Sequence, residues 1–140
     1  MECRGLGEKI EQADPNLGGL LGEMYTALNQ DLRVLAAIGA RTAFDRASEL
    51  LGVDASLSFE RKLENLVELG KMGAAEQETM RVLVDAGGAA AHRGWRPEAA
   101  ELNTMMDVIE AFLYRSLMLG DRIEILKTSV PAKPPRTTTK

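Results

Sequence analysis

The strongest constraint on this chain is the three-to-four-residue spacing of its apolar side chains, interrupted at intervals by glycine and proline. Leu32, Leu35, Ala36, Gly39, Ala43, Ala47 and Leu50 recur with helical spacing. So do Phe59, Leu63, Leu66, Val67 and Leu69, then Met80, Leu83, Val84, Gly87 and Ala91. A last stripe holds Leu102, Met105, Met106, Ile109, Phe112, Leu113 and Leu117. Strict period-two alternation between hairpin turns is absent, and the strand-like run Arg81-Val82-Leu83-Val84 has helical neighbours. Each stripe has to be covered by another, and short loops make successive helices antiparallel. The expected fold is therefore all-α, an antiparallel bundle of four to five helices.

Local chemistry sets the expected boundaries. A break falls near Asn29-Gln30-Asp31, with Asp31 as cap of the next helix. Gly39, on an apolar face, suggests close approach of another helix. Gly52 stands at a C-cap, Ser56 or Ser58 opens the next helix, and Gly70 ends it. Pro97 suits the first turn of the following helix, where a missing N–H costs nothing, and Glu98 and Glu101 suit its dipole. Gly120-Asp121 is expected to break that helix, with a last turn over Ile123 to Leu126. Three parts follow: a flexible N-terminal arm over residues 1–15 with room for a short helix, a single helical domain over 16–127, and a disordered basic Pro/Thr tail over 128–140.

Composition limits the function classes. A chain of 140 residues that is 45% hydrophobic can bury one core, built from aliphatic residues and seven methionines because aromatics are only 4%. The net charge of −4 opposes broad capture of nucleic acid, which needs a concentrated basic surface. One cysteine, Cys3, allows neither an intramolecular disulfide nor a multi-cysteine zinc site. No apolar run has the length of a membrane span, and acidic residues occupy the N-terminus where a secretory signal needs an apolar stretch. A cytoplasmic protein without a cofactor or metal and without a membrane partner is expected.

One polar constellation stands out. On a helix over residues 76–92, Arg81 and Asp85 are four apart and Asp85 and His92 seven apart, so with Gly88 they form one stripe. It requires Gly87-Gly88 not to break the helix. Arg41 and Asp45 form a second pair, in line with Val34 and Ile38, which suggests partial burial. These five charged residues are the expected structural polar network. His92, the only histidine, sits at a helix end, where its simplest role is to satisfy carbonyls and the helix dipole. The sharper alternative makes His92, Arg41 and Asp45 candidates for general acid–base work. The loop bearing Arg93, Trp95 and Arg96 is cationic and aromatic, and could hold a phosphate or stack on a base, or simply anchor the tryptophan. The chain has no phosphate-binding glycine loop and no serine–histidine–aspartate context.

The order of these features resembles the bacterial family known as domain of unknown function 4145, over about Leu20 to Leu126. The residues that carry the resemblance are Glu23-Met24-Tyr25-Thr26-Ala27-Leu28 in the first helix and Arg41 with Asp45 in the next. Leu57, Lys62, Leu63, Leu66 and Gly70 follow, then Gly87-Gly88-Ala89-Ala90-Ala91-His92, and Pro97 at the start of the last long helix. Two departures stand out: Gly88 replaces the usual asparagine, and Cys3 alone cannot supply the cysteine-rich module many members carry.

The family is similar to HEPN-type helical domains, some of which are dimeric ribonucleases with an arginine a short interval before a histidine. Here the positions seven, six and five before His92 hold Asp85, Ala86 and Gly87, so that motif is absent in its usual form. The resemblance also implies a setting among defence or nucleic-acid-associated proteins. The expected function is a non-catalytic protein-interaction domain, a homodimer. The alternatives are a HEPN-like ribonuclease or RNA-binding protein using His92, with Arg93 or Arg96 on the phosphate, and an antitoxin-like regulatory partner of another protein.

Overall fold

A computed structural model describes residues 4–135, with side chains described from residue 7 onward, and it contains no strand among them. The elements are α1 (Arg4–Ala13), α2 (Pro15–Asn29), α3 (Arg33–Leu50), α4 (Phe59–Glu68), α5 (Ala74–His92) and α6 (Ala99–Leu113). A π-helical turn (Tyr114–Met118) then leads without a break into α7 (Leu119–Ser129). The expected all-α bundle is observed, with one more helix at its front than the stripes had indicated.

Helix α3 lies at the centre, packed against α2, α5 and α6. Its buried side is almost wholly small: Ala36, Ala37, Gly39, Ala40, Ala43, Ala47 and Ser48, with Phe44 as the one large group. Small side chains let backbones approach. A Cβ placed on Gly39 would stand 3.1 Å from Met24 Cβ of α2, the close approach expected of that glycine. Phe44 fills the space that the alanines leave, with its ring 5.3 Å from that of Phe112 and 6.5 Å from that of Phe59. Contact on several sides also corrects the expected stripe. Ala36, Gly39, Ala43 and Ala47 are buried as read, but Leu32, Leu35 and Leu50 are 48%, 58% and 41% exposed. Leu69 and Ala91 face out as well, and Ala90 faces in.

Caps explain several boundaries. The Ser58 side chain accepts from the Arg61 N–H at the start of α4, and Gly52 and Gly70 carry the positive φ that ends α3 and α4. Asp31 does not cap α3. It stands in the left-handed region at φ 59°, Leu32 takes the cap position, and the Asp31 carboxylate turns to Arg33 at 3.4 Å and Arg96 at 3.6 Å. Pro97 lies just before the cap residue Glu98, whose N–H donates to the Glu101 carboxylate at 2.7 Å.

Both ends differ from expectation. Residues 4–13, expected in a loose arm with room for a short helix, form α1, with Ile10 buried in the core at 1% exposure. Asp14 fastens the joint: its carboxylate accepts from Leu17 N–H at 3.0 Å, capping α2, and takes two bonds of 3.0 Å from Arg46 of α3. At the other end, Gly120-Asp121 does not stop the helix. The Leu119 N–H reaches back to the Tyr114 carbonyl, and this wider turn carries the chain into α7, which runs to Ser129. Val130 to Pro135 have no secondary structure and are exposed. Cys3 and the last five residues of the expected tail lie outside the described residues.

Candidate functional site

The polar residues singled out in the sequence separate into three groups, and the structure re-pairs most of them. On α3, Arg41 and Asp45 do not bond one another. Asp45 instead pairs with Lys62 of α4, a lysine only 4% exposed. Burial of that ammonium is tolerable because it has a carboxylate and lies 5.1 Å from the centre of the Phe59 ring. The Arg41 guanidinium lies 4.0 Å over the same ring. Its Nε is buried and has no hydrogen-bond partner among the described residues.

Arg41 also explains the glycine of α5. A Cβ on Gly87 would fall 2.4 Å from Arg41 Cβ and 2.9 Å from its Cδ, so the arginine stem crosses α5 where that helix has no side chain. The two most distinctive pieces of the sequence, the arginine of α3 and the glycine pair of α5, thus meet. Gly87-Gly88 does not break the helix, which runs from Ala74 to His92.

His92 does not join them. It stands five residues past Gly87, about 7.5 Å along the axis and turned roughly 140° around it. It is exposed, at the last residue of α5, and makes no hydrogen bond or ion pair among the described residues. Arg81 likewise leaves the expected stripe. It bonds Glu60 of α4 through Nε at 3.1 Å and Nη2 at 2.7 Å, and also pairs with Glu78. This fork raises the arginine's pKa and holds the Glu60 carboxyl below the usual range. Asp85 pairs with Arg93, which donates to its carboxylate at 3.0 Å and its carbonyl at 3.4 Å.

The Arg93–Trp95 loop folds back on α5. The Trp95 N–H donates to the Ala89 carbonyl at 3.1 Å, and its ring packs against the core at intermediate exposure. A shallow groove of about 330 Å³ remains, lined by Val82, Asp85, Ala86, Ala89, Arg93 and Trp95. Its cation is already neutralised by its own acid. Arg96 turns away to Asp31. No group of three histidine, cysteine, aspartate or glutamate side chains among the described residues could hold a metal ion. No helix among the described residues is long and apolar enough to cross a membrane.

Two features went unread in the sequence. Glu110 is only 7% exposed and accepts a 2.5 Å bond from the Tyr25 hydroxyl, joining α6 to α2. The signal was an acid on the stripe of Met106, Ile109 and Leu113, which requires a buried donor. The second is α7, which has no buried residue; Ile123, Ile125 and Leu126 on it and Val130 just after it are between 40% and 67% exposed.

No curated protein and no solved structure matches this chain. A family model does, over residues 22–130, from α2 through α7 and so across every pairing described above except the Asp14 joint. The chain is a member of the family described as domain of unknown function DUF4145.

Proposed function

We propose that this protein is a non-catalytic helical interaction domain that works as a homodimer. The observation that carries the reading is α7, an eleven-residue segment with no buried side chain that displays Ile123, Ile125 and Leu126 to solvent, with Val130 just after it. This segment is the end of the continuous rod that begins with α6, and most helical stability in proteins comes from packing of an apolar face, which this end lacks. Among the described residues, six of the ten large hydrophobic side chains that stand exposed lie either on that helix and the residue after it or at Leu32 and Leu35. Clustered exposed apolar groups mark association surfaces.

The polar residues support the same reading. Asp45, Arg81 and Asp85 are each held by a charged partner from another part of the chain. Arg41 lies on a ring and across a glycine. His92 makes no hydrogen bond or ion pair among the described residues, whereas general acid–base chemistry requires a positioned partner. Light scattering on the purified full chain tests the proposal. Twice the chain mass of 15.2 kDa is expected at micromolar concentration. A monodisperse monomer at high micromolar concentration refutes it.

A further inference from the structure

Resting on the homodimer reading, we infer which surfaces meet: α7 of each copy seats in the groove between α2 and α3 of the other. This groove has a volume of about 680 Å³, and its walls are mostly apolar, with Leu20, Met24, Leu32, Leu35 and Ile38 among them. Leu32 and Leu35 are the two large side chains that the α3 stripe sent outward, at 48% and 58% exposure. The floor on the α2 side is bare. A Cβ on Gly19 or Gly22 would meet nothing within 4 Å, so packing within one chain does not explain either glycine. Each costs a helix about 1 kcal/mol relative to alanine, and an open glycine floor admits a closely approaching helix.

Charge selects the occupant. Residues 115–140 carry six Lys or Arg against two Asp or Glu, whereas the whole chain carries 17 against 21. On α7 itself the charges balance, Arg122 and Lys127 against Asp121 and Glu124, and Lys127 is taken by Glu124 at 3.3 Å. On α7, Arg122 holds only the neutral Tyr114 hydroxyl, at 3.0 Å. Glu23, the one charged residue lining the groove, has no cation partner among the described residues. Pairing groove with groove would leave Glu23, the charged residue of each, without a cation. Placing α7 in the groove joins apolar to apolar and Arg122 to Glu23. Its own α7 is not available to the groove without breaking the continuous rod of α6, the π turn and α7. A reciprocal exchange of two helices closes the pair and leaves no surface for further growth.

The experiment uses two full-length variants at exposed positions, Leu35→Asp in the groove and Leu126→Asp on α7, each checked for native helix content by circular dichroism. Sedimentation equilibrium is expected to give a dimer for the unaltered chain and monomers for each variant alone. Mixing the two variants gives a heterodimer weaker than the unaltered dimer, held by the one intact contact, α7 of the first in the groove of the second. Charge reversal gives an independent arm: Glu23→Arg and Arg122→Glu each weaken the dimer, and the double variant regains most of the loss. A dimer that survives either aspartate variant, or a mixture that stays monomeric, overturns the pairing while leaving the homodimer reading intact. A monomeric unaltered chain overturns both.

Discussion

The two adjacent glycines of α5 should respond to the same substitution with opposite signs. Gly87→Ala places a methyl 2.4 Å from Arg41 Cβ, an atom next to the α3 backbone and not the loose end of a side chain. Carbon atoms pack at about 3.5–4.0 Å, so α3 and α5 must part by roughly 1 Å or the arginine must leave its place on Phe59. Overpacking of this kind costs about 2–3 kcal/mol, and the gain in helix propensity returns about 1 kcal/mol. The net loss is about 1–2 kcal/mol, or roughly 3–8 °C in Tm for a domain of this size. Gly88→Ala meets nothing within 4 Å and keeps only the propensity gain, so it should raise Tm by about 2–4 °C. Thermal unfolding followed by circular dichroism at 222 nm reads both. If Gly87→Ala is as stable as the unaltered chain, or if Gly88→Ala loses as much as Gly87→Ala, then Arg41 does not cross α5 at Gly87 and the account of the glycine pair fails.

Other outcomes follow from single contacts. Tyr25→Phe removes the 2.5 Å hydroxyl bond to buried Glu110 and should cost about 1–3 kcal/mol in urea unfolding; a loss within error would mean that water or another donor already serves that carboxylate. The Asp14 carboxyl is held below its ordinary value, first by its bonds from Arg46. Its contribution is therefore complete above the unfolded carboxyl value of about 3.9 and is lost as pH falls through the lower folded value. Asp14→Asn should be less stable than the unaltered chain at neutral pH and equal to it once both are well below that range; a gap that persists in strong acid counts against the ion pair. His92→Ala should change stability by less than about 0.5 kcal/mol, since the ring is exposed and unbonded. RNA cleavage that is present in the unaltered chain and lost in this variant would contradict the non-catalytic reading.

The sequence was most legible where structure is local. Ser58, Gly52 and Gly70 end or open helices through bonds and backbone angles confined to a few residues, and each does so here. Side-chain pairing was least legible, because a helical wheel matches partners only within one helix. Arg81 prefers Glu60, 21 positions away, to Asp85 at four, since two parallel bonds to a carboxylate hold a guanidinium better than one side chain on the same face. Asp45 finds Lys62 seventeen positions on. The α3 stripe departs from its helical spacing at Leu32, Leu35 and Leu50 because a central helix packed on several sides buries its smallest side chains. The break expected at Gly120 failed for a related reason: a glycine lowers helix propensity, but the π turn just before it keeps the backbone bonded. What placed Arg41 against Gly87 was tertiary packing of α3 on α5, yet the sequence carried its trace in a glycine on an otherwise apolar line.

Association should be written most plainly in the amides of α7. A helix with no buried side chain is protected from exchange only as far as its own bonds hold, whereas one seated on a second copy shares the stability of the assembly. Amide hydrogen exchange on the full chain, measured across a dilution series, separates the two cases. Residues Leu119–Ser129 are predicted to exchange rapidly when dilute and slowly when concentrated, while the core amides of α3 shift far less. Protection of α7 that does not change with concentration, at levels where light scattering finds dimers, would contradict the central claim that this helix is the chain's interaction element.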